Sequence, residues 1–328
     1  MLSLNRVSKY YKVGTFGGKE LAAVRDVSFD VDAGEVVSLI GESGSGKTTI
    51  GKMVLKLIDI SRGSITCDGQ DVTGLHGGAV KSYYRHVQGV FQDPFSSYNP
   101  IFKADRVLTK IRSEYFSDMA RSEWNDKVDA ALRAVTLDPG QVLNKYPHQL
   151  SGGQLQRLLV ARALLLDLKI LVADEIISML DASTRIDVLN LLAELKGRGM
   201  GILFITHDLS LGNYISEKTV ILRHGVIAEM GATDKVFGNP THPYTKALIS
   251  SVPQLHKKWA DVDAEILARG GADTGTCLFH QAYPPTAPVT GKGAVKQDSS
   301  DLPPTLVKVE DDHYVGCFDL GAATCQVA

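Results

Sequence analysis

Nine residues, Gly41-Glu42-Ser43-Gly44-Ser45-Gly46-Lys47-Thr48-Thr49, have the types and spacing of a phosphate cradle. They fit the pattern G-x-x-x-x-G-K-[ST]. The glycines let backbone N–H groups turn inward toward phosphate oxygens. Lys47 is spaced to reach β- and γ-phosphates, and the Thr48 hydroxyl to ligate Mg²⁺. A Gly/Ser-rich turn with a chance lysine would share the spacing, so the flanking segments decide. Glu35 to Ile40 is apolar and β-branched and reads as a buried strand. Thr49 to Ile58 has helical spacing, with Ile50, Met53, Val54 and Leu57 expected on one face. A helix there would add the positive end of its dipole. Strand, glycine loop and helix together predict nucleotide binding through Ser43, Gly44, Ser45, Gly46, Lys47, Thr48 and Thr49.

The surrounding elements alternate strand and helix. Residues 2–13 and Leu21 to Val31 read as strands, the second with Val24, Val27, Phe29 and Val31 inward. A glycine-rich loop, residues 14–20, joins them. Gly63 to Gly69 and Val87 to Phe91 read as short strands, and Gln92 stands at the exit of the latter. Residues 103–168 read as mostly helical, with strong patterns over 124–135 and 152–166, which suggests a helical subdomain inserted into an α/β core. Lys169 to Ala173 is a buried strand ending in Asp174-Glu175. Ala182 to Lys196 is helical, with Ile186, Leu189, Leu192, Ala193 and Leu195 apolar. Gly201 to Thr206 is a further buried strand, followed by His207. Val220 to Met230 reads as a hairpin turning at His224-Gly225. Such alternation implies a largely parallel sheet with ligands at the carboxyl ends of its strands. Residues 41–48, Gln92, Asp174-Glu175 and His207 all sit at such ends.

Composition sets the class. The 328 residues suffice for one large domain with an appendage, or for two domains. Hydrophobic residues make up 44% and charged residues 22%, ordinary for a globular protein. Net charge is −2, which gives no global attraction to nucleic acid or an anionic membrane. No apolar run is long enough to span a bilayer. The N-terminus lacks a charged-then-apolar leader. Cys67, Cys277, Cys317 and Cys325 are too scattered for a disulfide scaffold. These features point to the cytoplasm. Past about residue 240 the pattern weakens, and residues 270–305 are rich in Gly, Pro, Thr and Ala, so a loop-rich extension is expected.

Leu150-Ser151-Gly152-Gly153-Gln154-Leu155-Gln156-Arg157 opens the helix that runs toward Leu166. Ser151 is an N-cap candidate, and the glycines let another backbone or a phosphate come close. With the phosphate loop before it and the Asp174-Glu175 strand end after it, the segment closely resembles the signature of ATP-binding-cassette ATPases. The resemblance covers roughly residues 1–240. It implies a P-loop α/β core with a mixed sheet, an N-terminal antiparallel β part and the helical subdomain at about 93–168.

The resemblance implies roles residue by residue. Tyr11 looks like the aromatic that stacks on adenine, with Tyr10 as its rival. Gln92 looks like the residue that touches Mg²⁺ and the attacking water and links the site to a membrane partner. Asp174 is similar to the Mg²⁺-orienting acid and Glu175 to the general base. Asp181 matches the acid facing a partner subunit, and His207 the histidine on the γ-phosphate. Lys47 completes the catalytic set with Glu175, His207 and Gln92. Ser151, Gly153 and Gln154 would close the ATP site of a second cassette. Hydrolysis then needs positioning and charge neutralisation rather than covalent chemistry.

Pro240-Thr241-His242-Pro243-Tyr244-Thr245-Lys246-Ala247-Leu248 looks like the start of the C-terminal extension of dipeptide/oligopeptide importer ATPases, and so does the run from Val90 to Pro100. The wording of residues 41–49 looks like the second ATPase of such transporters. The expectation is an ATP- and Mg²⁺-dependent importer subunit for peptides or oligosaccharides, with a cassette over 1–240 and the extension over 241–328. Its implied partners are a second ATPase subunit, identical or homologous, and two permease subunits; an extracytoplasmic binding protein acts indirectly. No nucleic acid is implied, and the chain would sit peripherally on the cytoplasmic face of the membrane, with region 93–118 meeting the permease. The alternatives are a soluble cassette protein acting on nucleic acid or translation, and a weakly hydrolysing regulator. Two departures from the family stand out. Ile176-Ile177 follow Glu175 where the family usually has Pro, which would stiffen the turn. Only Cys277 and Cys317 fall near the four positions that resemble iron–sulfur ligands, so no cluster is expected.

Overall fold

The computed structural model describes residues 1–13, 19–178, 180–251 and 306–316. It divides into two units, one of residues 1–74 with 204–328 and one of residues 75–203. Along residues 1–74 run β1 (Leu2–Val13), β2 (Lys19–Val31), β3 (Val36–Ile40), α1 (Lys47–Val54), β4 (Arg62–Cys67) and β5 (Gln70–Asp71). Then come α2 (Gly78–His86), β6 (Val87–Val90), α3 (Arg106–Tyr115), α4 (Arg121–Ala134), α5 (Pro139–Val142), α6 (Gly152–Leu164), β7 (Ile170–Asp174) and α7 (Ala182–Gly197). β8 (Gly201–Thr206) runs from the second unit back into the first. The first unit continues with α8 (Leu209–Ile215), β9 (Lys218–Arg223), β10 (Val226–Ala232), α9 (Thr233–Gly238), α10 (Pro243–Ser250), β11 (Leu306–Glu310) and β12 (His313–Gly316). The glycines of the loop after Val13, and Cys277, Cys317 and Cys325, lie outside the described residues.

The first unit holds an antiparallel sheet in the order β2-β1-β4-β5. Leu2, Leu4 and Val7 of β1 and Val24, Val27, Phe29 and Val31 of β2 are buried. Val24 and Val27 have the wrong parity to share a face of a regular strand. A bulge resolves this: Val7 pairs with Val27 but Lys9 with Val24, and Asp26 between them has φ 49°.

The same unit carries a mixed sheet. β3 runs parallel to β9, whereas β10 is antiparallel to both β9 and β12, and β11 closes a hairpin with β12. Parallel strands buried on both faces read as unbroken apolar runs, and every residue of β3 is buried. The β11–β12 hairpin was not expected from the weak pattern of the C-terminal region. α1 also departs from expectation. Ile50, Met53 and Val54 are buried, but Leu57 is 53% exposed. The helix stops at Val54, and Lys56 takes a left-handed φ of 53°, which swings Leu57 off the helical face.

In the second unit β6 and β7 are parallel, with Val87 opposite Ile170. α3, α4, α5 and α6 follow one another with no strand between them among the described residues. Trp124, Val128, Ala131 and Leu132 make the buried stripe of α4, spaced as one helix face requires. Phe116 packs on Trp124 with ring centroids 5.5 Å apart. Of the apolar residues expected on α7, Leu189, Leu192 and Leu195 are buried while Ile186 and Ala193 are exposed.

Candidate functional site

The loop between β3 and α1 is shaped by close backbone approach. A Cβ on Gly41 would lie 2.2 Å from the Leu222 carbonyl oxygen, so only glycine fits. Gly46 has φ 105°, and its Cβ would lie 2.6 Å from the Ala23 carbonyl oxygen. Gly46 is also the N-cap of α1, and no side chain caps that helix. The dipole of α1 favours an anion at this end. The turn between β9 and β10 braces the loop from behind. Gly225 N–H donates to the Ser45 carbonyl at 2.9 Å, and Arg25 N–H donates to the Gly225 carbonyl at 2.8 Å.

Lys47 is buried, and its ammonium donates to the carbonyls of Gly41 at 2.6 Å and Glu42 at 2.8 Å. The charge is thereby held inside the loop. Ser45 is buried beside it, Gly44 and Ser43 are exposed, and so is Thr48, while Thr49 is half-buried. His224, in the bracing turn, is held below the ordinary imidazole range by burial first and then by the Arg223 charge.

Tyr11 pairs with Leu21 of β2, close along that strand to Ala23, which packs against Gly46. Its ring lies 5.3 Å from the Lys9 ammonium. Tyr10 takes the opposite face of β1 and lies 5.7 Å from the Arg62 guanidinium. His207 is exposed at the carboxyl end of β8, which neighbours β3. The next residue, Asp208, caps α8 by accepting from the N–H groups of Ser210 and Leu211.

The remaining candidates lie in the second unit. Ser151 and Gln154 form a capping box: Gln154 N–H donates to Ser151 Oγ at 3.2 Å, and Ser151 N–H to Gln154 Oε1 at 2.9 Å. The Gly153 position is pressed by α7, since a Cβ there would lie 2.9 Å from Thr184 Cγ2. Thr184 in turn donates its N–H and its hydroxyl to Asp181, the N-cap of α7. The structure thus brings Ser151, Gly153, Gln154 and Asp181 into one corner. Gln92 is exposed just past β6. Asp174 is buried at the end of β7.

Glu175 has φ 51°, a left-handed conformation that costs a non-glycine residue roughly 1–2 kcal/mol. The turn is fixed on its far side. Ser178 donates its N–H and its hydroxyl to the Glu175 carbonyl, at 3.1 and 2.9 Å. Ile176 and Ile177 are both buried. Apolar burial of about 1.5–3 kcal/mol per side chain holds this turn where a proline ring would otherwise stiffen it.

Comparison with known proteins decides the family. A family model described as ABC transporter matches residues 24–178, and one described as Oligopeptide/dipeptide transporter, C-terminal region, matches residues 228–282. The probable peptide ABC transporter ATP-binding protein y4tS of Sinorhizobium fredii is 35% identical over 326 residues, 97% of this chain and 89% of the relative. The chain belongs to the ABC transporter ATP-binding family. The oligopeptide transport ATP-binding protein AmiF of Streptococcus pneumoniae is 42% identical over 241 residues, 72% of this chain and 77% of its own. A dimeric post-hydrolysis structure of the ATP-binding cassette MJ0796 bound to ADP and Pi superposes with a TM-score of 0.64 at 28% identity, covering 71% of this chain and 99% of that one. The α/β architecture is that of an ABC ATPase cassette.

Sequence reading missed several residues that support the segments carrying these candidates. Gln156 on α6 is fully buried and donates to the Phe91 carbonyl. Arg162 donates to the Gly89 carbonyl at 2.9 Å. Tyr98 donates to the Leu155 carbonyl at 3.4 Å, and burial pushes its phenol up. All three tie the signature helix to β6 and to the segment around Gln92. Gln156, a polar residue set between Leu155 and the Leu158-Leu159 pair, was the available signal. Tyr244, singled out only as part of the extension, donates no signal by spacing yet accepts the Glu42 N–H at 3.2 Å.

Proposed function

We propose that this chain binds and hydrolyses ATP to drive import of di- and oligopeptides, as one of two cassettes on the cytoplasmic face of a permease. The observation that carries it is the uncapped helix start at Gly46 with Lys47 folded into the same loop, on a chain whose C-terminal region matches that of oligopeptide/dipeptide transporters. Peptide is favoured over oligosaccharide because y4tS, AmiF and the oligopeptide transport protein OppF of Streptococcus mutans are named for peptides. No helix among the described residues is long and apolar enough to cross a membrane; the permease is proposed as separate subunits. Phe95, Ile101 and Phe102 are exposed in one stretch after Gln92, which suits a docking surface for them.

In this reading Lys47 and the N–H groups around Gly46 hold the β- and γ-phosphates. Thr48 of the first unit, and Gln92 and Asp174 of the second, each carry a side-chain oxygen of the kind a hard cation such as Mg²⁺ takes. Bound there, the ion would offset phosphate charge. Glu175 takes a proton from the attacking water, His207 meets the γ-phosphate, and Tyr11 stacks on the base. Ser151, Gly153 and Gln154 face the nucleotide of a second cassette, with Asp181 fixing the corner through Thr184. Uptake of a labelled oligopeptide by cells carrying Lys47→Ala tests the assignment. Peptide uptake should disappear while oligosaccharide uptake is unchanged; loss of oligosaccharide uptake alone would refute the peptide assignment.

A further inference from the structure

The peptide between Gly41 and Glu42 is held from both sides. Its carbonyl, on Gly41, accepts the Lys47 ammonium at 2.6 Å. Its N–H, on Glu42, donates to Tyr244 Oη at 3.2 Å. In a planar trans peptide these two groups point in opposite directions. Turning the plate over would break both contacts at once.

Tyr244 is itself firmly placed. Its ring is buried in one apolar cluster with Ile40, the residue before the loop, and with Leu209, Ile221 and Val236. The Arg223 guanidinium lies 4.8 Å from the ring centroid. Burial pushes the phenol up, so it stays a neutral hydroxyl. The helix that carries it is pinned at its start. His242 Nδ1 accepts from Tyr244 N–H at 3.0 Å and caps α10. The Glu229 carboxylate, fully buried on β10, accepts from Thr241 N–H at 2.8 Å and His242 N–H at 3.0 Å. The same carboxylate meets His313 Nε2 of β12 at 2.7 Å.

We propose that Tyr244 is a positioning residue for Lys47, through which the C-terminal region sets the shape of the phosphate loop. The inference rests on the ATPase reading of that loop. Tyr244 touches neither phosphate nor water. It fixes the orientation of the peptide that stations the lysine charge inside the cradle, and the Glu229–His242–His313 network fixes Tyr244. Without the hydroxyl the 41–42 peptide is held from the Lys47 side alone, the lysine spreads over more arrangements, and nucleotide binding weakens. The chemical step, which depends on Glu175, is left alone.

Tyr244→Phe tests this, because it keeps the ring and its packing and removes only the hydroxyl. In the full chain, the dissociation constant for a fluorescent ADP analogue and the KM for MgATP should both rise about threefold to tenfold, the loss expected for one neutral hydrogen bond. The kcat should stay within about twofold, and the melting temperature should stay close to that of the parent. Unchanged affinity and KM, with or without a fall in melting temperature, would overturn the proposal, since a purely structural tyrosine would leave both unmoved. Failure of the parent chain to bind the analogue would instead overturn the ATPase reading.

Discussion

The side-chain amide of Gln156, buried in α6, donates to the backbone carbonyl of Phe91, the residue before Gln92, at 3.4 Å. With Arg162 on the Gly89 carbonyl and Tyr98 on the Leu155 carbonyl, it makes the signature helix and the segment around Gln92 one connected body. Displacement of the exposed stretch after Gln92 would reach Ser151 along that helix.

Gln156→Leu should break this link while preserving volume. It leaves the Phe91 carbonyl short of a donor, a loss of about 1–3 kcal/mol. Basal hydrolysis by the purified chain is expected to stay near that of the parent. Stimulation by peptide in the reconstituted transporter should fall by about tenfold, the equivalent of about 1.4 kcal/mol. Equal stimulation in parent and variant would show that the link carries no coupling.

Gly46→Ala should cost more than its size suggests. The substitution must keep φ 105° and meet the Ala23 carbonyl at 2.6 Å. We expect at least about 2 kcal/mol of lost stability in denaturant titrations, together with lost nucleotide binding. Gly44 also has a positive φ, of 81°, but open space where a Cβ would go. Gly44→Ala should therefore cost only the backbone strain, on the order of 1 kcal/mol. A reversed order of the two variants would refute the close-approach argument.

His224 gives the loop a dependence on pH. Its folded-state pKa lies below the ordinary 6.5 because of burial and then the Arg223 charge, with Glu42 acting in the other direction and Arg25 adding a small lowering. The unfolded chain then binds this proton more readily than the folded one. Stability associated with neutral His224 is present above about pH 6.5 and is lost as pH falls through the folded value. His224→Asn tolerates the same left-handed backbone, φ 47°. The fall in melting temperature on acidification below about pH 6.5 should be smaller in the variant than in the parent; an equal fall would exclude His224 as a contributor.

Much of this was legible in the sequence where local signals were strong. The unbroken apolar run of β3 and the glycines after it placed the phosphate loop, and Ser151 read as an N-cap, which the structure closes as a reciprocal box with Gln154. Periodicity failed where backbone geometry intervened. Leu57 fits the helical stripe, but the left-handed turn at Lys56 ends α1 before it. Val24 and Val27 share a face only because Asp26 bulges. α2 and α8 are only nine and seven residues long, and α2 buries Tyr83 alone, so neither offers the run of apolar positions that a longer helix does. The β11–β12 hairpin earns its place through a long-range partner: His313 meets Glu229, far earlier in the chain. No local pattern announces such a contact. The same holds for Tyr244 and Glu42.

Glu175 concentrates the central claim. It holds a left-handed φ of 51° at the end of a buried strand, on a turn anchored by Ile176, Ile177 and Ser178. The surroundings hold this strained conformation in place, as they do at Lys56 and Asp26, so the strain alone does not assign a role and turnover must be measured. The most direct measurement is ATP turnover by Glu175→Gln, which preserves side-chain shape, read alongside ATP binding and oligomeric state by size-exclusion chromatography. The account predicts turnover reduced by about 100-fold or more, ATP binding retained, and dimers accumulating in the presence of ATP. Turnover close to that of the parent would contradict the assignment of Glu175 as the base.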